Sequence, residues 1–68
     1  MSIASISEIK ATSTKSFDDA IKLGVERASK TLRNVKSAWI ENQEVILGEN
    51  GIITEYRVQL RVTFILDD

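Results

Sequence analysis

The chain has 68 residues, nine Lys and Arg against ten Asp and Glu, a net charge of −1, and neither Cys nor His. Disulfides and thiolate metal sites are excluded, and the commonest metal ligand and general base is missing. A near-neutral chain lacks the basic surface that non-specific nucleic-acid binding needs, and no apolar run approaches the ~20 residues of a membrane span.

Such a length predicts one domain, residues 1–68, with a small core. For so short a chain the gain from burying apolar surface and the cost of ordering the backbone nearly cancel. Small domains escape that balance through disulfides, metals or association, and only association is left here. An oligomer is therefore expected before any family is considered. The N-terminus has neither a basic start nor an apolar segment of signal-peptide type, so a cytoplasmic protein is the default expectation.

The first segment, Ile3 to Ala11, carries Ile3, Ile6 and Ile9 among small and polar residues, a spacing that fits a helix as well as a strand; its Ile, Ser and Thr content and its position before a strong cap favour a strand. Thr12 to Ser16 is loop and cap chemistry. Ser16 is placed to accept from the backbone N–H near Asp19, and Asp18 and Asp19 suit the positive end of a helix. Phe17 to Arg33 is the predicted helix. Phe17, Ala20, Ile21, Gly24, Val25, Ala28 and Leu32 form one apolar stripe at helical spacing. Gly24 inside that stripe costs roughly 1 kcal/mol against Ala; it reads as a tolerated weakness or, the favoured reading, as a sign of close packing of the helix on a sheet. Asn34, which tolerates the left-handed conformation, is the expected helix stop.

Val35 to Leu47 reads as a second strand, with Ala38, Ile40 and Ile46 alternating against Ser37, Trp39, Glu41 and Gln43. Gly48-Glu49-Asn50-Gly51 is a hairpin loop whose Asn-Gly supplies positive φ angles. From Ile52 to Leu66 the alternation is long and clean. Tyr56, Val58, Leu60, Val62 and Phe64 fall on one face, and Glu55, Arg57, Gln59, Arg61 and Thr63 on the other. The class is α+β, order β-α-β-β: a three-stranded antiparallel sheet with one helix on one face.

Catalytic constellations are absent from the sequence. No His is available to activate a Ser, and the three glycines form no phosphate loop. An enzyme is not expected. Glu8, Glu41, Glu44 and Glu55 read as solvated or paired surface carboxylates, although carboxylates gathered across an oligomer interface can hold calcium. Arg57 and Arg61 share a face with Glu55 and Gln59 and read as a salt-bridge ladder, or as an anion or partner site. Trp39 has two open roles, since the same amphipathic ring stacks on a flat heterocycle or packs a subunit interface.

The whole pattern resembles the dodecin family. Ala11-Thr12-Ser13 is similar to the family's GTS after the first strand. Phe17 to Ala20, Arg27 to Arg33, Glu55-Tyr56-Arg57-Val58 and Val62-Thr63-Phe64 follow in family order and at nearly family spacing. The resemblance implies a hollow homododecamer in which the sheet wraps partly around the helix. It also implies storage or scavenging of riboflavin, lumichrome or FMN, bound in pairs between subunits, rather than catalysis. In typical members a Trp on the second strand sandwiches the ring system and a Gln after the Tyr of the third strand bonds its edge. Aligned without a gap from Thr31, that Trp position falls on Ser37 and that Gln position on Arg57, while Trp39 sits about 7 Å further along the same face. Trp39, Ser37 and Arg57 are therefore the candidate flavin-binding residues. The two departures make the chain look closer to a branch lacking the flavin residues, whose members hold calcium or no cofactor.

Overall fold

In the computed structural model, which describes residues 3–66, the chain runs β1 (Ile3–Ser13), α1 (Phe17–Thr31), β2 (Val35–Leu47) and β3 (Ile53–Leu66). Residues 1, 2, 67 and 68 of the expected 1–68 span lie outside the described residues. The sheet is antiparallel, with strand order β1-β3-β2. Central β3 pairs on both edges, and this explains why its alternation is the cleanest in the sequence. Val58, Leu60 and Val62 are fully buried beneath the helix.

The helix begins where its cap chemistry sets it. Ser16 Oγ accepts from the Asp19 N–H at 3.0 Å, and Asp18 and Asp19 occupy the first turn. Ser13 Oγ donates to Asp19 Oδ2 at 2.6 Å and accepts from the Lys15 N–H at 2.9 Å, so the buried end of β1 is tied to the same turn. Those bonds draw Thr12 and Ser13 into the strand, opposite Arg57 and Tyr56, where a loop was expected. The Phe17 ring meets Tyr56 edge-on, centroids 5.2 Å apart, which seats the helix start on β3.

Ala20, Gly24 and Ala28 are the buried face of α1, and Phe17, Ile21, Val25 and Leu32 flank it. The helix stops at Thr31, with Leu32 as its cap, two residues short of the expected end. Asn34 does take the left-handed conformation, φ 57°, but its part is to start β2. Its carbonyl accepts from the Ile65 N–H at 3.1 Å and its side-chain amide donates to the Ile65 carbonyl at 3.3 Å. At the hairpin, Asn50 (φ 60°) and Gly51 (φ 73°) supply the positive φ pair that the sequence called for.

Helix α1 lies over β1 and β3 and barely reaches β2. Ile40 and Val45 of β2, opposite Leu60 and Tyr56, stay exposed on the helix side, and Leu47 and Ile52 near the hairpin tip are exposed as well. Extents of 53 × 18 × 14 Å and a radius of gyration of 14.0 Å contrast with about 11 Å for a compact chain of this length. The accessible surface is 5034 Å², against roughly 4,300 Å² for a compact monomer of this mass. One copy thus leaves apolar sheet open that further copies can cover.

Candidate functional site

The sheet face turned away from α1 carries the candidate residues, and a bulge in β2 decides which of them it presents. Near the hairpin Glu44 lies opposite Arg57 and Asn42 opposite Gln59. Continued unbroken, that register would carry Trp39 opposite Val62, onto the helix side. A shift between Ile40 and Asn42 adds Glu41 as an extra residue, and Trp39 comes to lie opposite Arg61 instead. The same shift corrects the simple alternation read from the sequence. Gln43 falls opposite Val58 on the helix side, and Ile46 falls opposite Glu55 on the polar face.

Trp39 is 72% exposed, far more than a tryptophan that packs within its own protomer. With Glu41 and Arg61 it lines a shallow pocket of about 250 Å³. Arg61 Nε donates to Glu41 Oε2 at 2.8 Å and to Glu8 Oε1 at 3.0 Å, so one guanidinium on β3 grips a carboxylate on each neighbouring strand. Hydrogen bonding to Glu8 first, then to Glu41, raises the Arg61 pKa above its ordinary value. Asn42 Nδ2 donates to Gln59 Oε1 at 3.4 Å one step further along.

Ser37 shares the Trp39 face, opposite Thr63. Arg57 is on that face too, but four residues from Arg61 along β3, about 13 Å. There it pairs with Glu44 at 3.4 Å. Of the three candidates, Ser37 and Trp39 are neighbours and Arg57 stands apart. Arg61, Glu41 and Glu8 take the place beside the indole. The sequence offers Arg61 as a ladder charge or an anion or partner site, and Glu8 and Glu41 as surface carboxylates with a calcium role open, but does not set them beside Trp39, because cross-strand neighbours follow from register and the bulge that sets it is not written in composition.

Among the described residues, no group of three or more acidic side chains is arranged to hold a metal ion, and no helix is long and apolar enough to cross a membrane. A larger groove of about 510 Å³ runs between α1 and the β1 edge, over Ile9, Ala11, Leu23, Gly24, Ala28 and Leu32. Its lining has no aromatic ring. The chemistry lies on the opposite face.

A short β-α-β-β chain with a half-covered sheet and an exposed aromatic on its polar face defines a small self-associating, ligand-binding module. Comparison with known proteins gives that class its family. The dodecin family model matches residues 3–67, and the chain belongs to the dodecin family. Among solved structures, a tryptophan-to-phenylalanine variant of the Thermus thermophilus dodecin is similar at 31% identity and TM-score 0.91, with 100% of both chains covered. The dodecin of Streptomyces davaonensis is similar at 31% identity and TM-score 0.91, covering 98% of this chain and 97% of its own. That of Streptomyces coelicolor stands at 27% identity and TM-score 0.90, covering 98% and 94%. None of the curated proteins matches. The expected fold is thus observed, and membership implies a small-ligand-binding protein that assembles with copies of itself.

Proposed function

We propose that the chain is a non-catalytic flavin store of the cytoplasm, a hollow homododecamer that sequesters riboflavin or FMN by stacking its ring system on Trp39. The observation that carries this reading is the 72% exposed indole beside Arg61 on the polar sheet face. An apolar ring left open next to a pocket is where a flat heterocycle gains most from leaving water. The pocket of about 250 Å³ is smaller than the ~300–1,000 Å³ of a complete small-molecule site. A second copy placed against the same face would complete it, in keeping with the family's self-association. Ser37 lies on the same face, opposite Thr63. Arg57, held by Glu44, borders the face further out.

Calcium is the competing ligand. Its acidic candidates nearest Trp39, Glu8 and Glu41, are already engaged by Arg61, and a cation would have to displace the guanidinium. The flavin reading is therefore favoured. Titration of riboflavin with the purified protein tests it. Emission is expected to fall as protein is added, and Trp39→Ala to abolish the quenching while the assembly keeps its size. Unchanged riboflavin emission at micromolar protein overturns the reading.

A further inference from the structure

We propose that Arg61, with Glu8 and Glu41, makes this site selective for uncharged planar heterocycles whose ring edge carries hydrogen-bond acceptors. The inference rests on the flavin reading and names the ligand form within it.

Three observations converge. First, both carboxylates take the Arg61 Nε–H, at 3.0 and 2.8 Å, and among the described residues no hydrogen bond engages either terminal nitrogen. The guanidinium is thus anchored through Nε while its terminal N–H donors remain unspent. Arg carries donors only, in a planar fork, so it reads carbonyl oxygens and ring nitrogens rather than N–H groups. Second, that fork and the Trp39 ring line one pocket. A heterocycle stacked on the indole brings its edge within reach of the neighbouring strand, whose separation is about 4.8 Å. Third, charge around the indole is net negative, with one guanidinium against two carboxylates. Further along the face Glu44 is paired by Arg57. A phosphate brought to this surface meets like charge that Arg61 has already been used to offset. Riboflavin, with the same ring and no phosphate, does not.

The test compares riboflavin with FMN by quenching of flavin emission at low ionic strength, using the full chain. Wild-type protein is expected to bind riboflavin about ten-fold or more tightly than FMN. The double variant Glu8→Gln with Glu41→Gln breaks the same ion pairs but keeps the guanidinium. It should hold riboflavin within about three-fold of wild type and narrow the FMN gap by about ten-fold. Arg61→Met should weaken riboflavin about ten-fold to a hundred-fold, the scale of a lost charge-assisted hydrogen bond. Equal affinities of the wild type for riboflavin and FMN overturn the proposal. Riboflavin binding lost alike in Arg61→Met and the double variant overturns it too, since the cluster is then only a strand clamp. Should Arg61→Met fail to fold, the two affinity ratios decide. A wild type that ignores riboflavin sinks the flavin reading itself, a result distinct from binding without selectivity.

Discussion

Replacing Gly24 by Ala sets helix propensity against packing, and the structure fixes which effect wins. Alanine in place of glycine favours the helix by about 1 kcal/mol. The new methyl would stand 2.8 Å from Leu60 Cδ1, 3.1 Å from Ala11 Cβ and 3.6 Å from Ile9 Cδ1. Leu60 is fully buried, so its terminal methyl cannot swing into open space. Ala11 has no torsion to turn, so helix and strand must part by a few tenths of an ångström. Overpacking of this kind costs about 1–3 kcal/mol. The balance predicts that Gly24→Ala is less stable than wild type by about 1 kcal/mol, which lowers Tm by roughly 4–8 °C for a domain of this size. Far-UV circular dichroism melts at matched protomer concentration give the comparison, since Tm of an oligomer depends on concentration. Leu60→Val in the same background removes the nearest methyl and should recover part of the loss, because neighbouring substitutions couple. A Gly24→Ala protein melting at or above the wild-type temperature would refute the close-approach argument.

Two further outcomes follow from the site. Ser37→Trp combined with Arg57→Gln puts family-type residues at the aligned positions and should strengthen riboflavin quenching about ten-fold, the scale of 1–3 kcal/mol for an added stacking ring; no gain in the titration counts against the alignment of those positions. Millimolar calcium should move Tm by less than about 2 °C, because Glu8 and Glu41 are held by Arg61; a rise of about 4 °C or more, roughly 1 kcal/mol of linkage, would favour the cation reading.

Local chemistry made much of the fold legible. Ser16, the paired aspartates behind it and the stripe from Phe17 to Leu32 placed the helix, and Asn50-Gly51 placed the hairpin. The unbroken period of two in β3 announced a strand with one buried face. Gly24 pointed to close packing and is buried against Leu60. Less visible were features set by partners distant in sequence. The end of α1 falls at Thr31, since Leu32 already takes extended backbone (φ −110°, ψ 141°), and Asn34 bonds Ile65 of β3 instead. In β2 the alternation broke at Glu41, where the extra residue keeps Trp39 on the polar face. Trp39 was found as a candidate because tryptophan is conspicuous, whereas Arg61 was one charge among several until strand pairing set it opposite the indole. The hairpin turn itself carried part of that signal: counting back from Asn50-Gly51 brings position 39 within one residue of position 61, and the bulge makes up the difference.

Behind all of this stands the open sheet, with Ile40, Val45, Leu47 and Ile52 exposed in a single copy. Native mass spectrometry of the wild-type protein at low micromolar concentration tests that claim most directly. The account predicts one dominant species of twelve copies of the 7.6 kDa chain, roughly 90 kDa. A folded species at 7.6 kDa as the main form would contradict it.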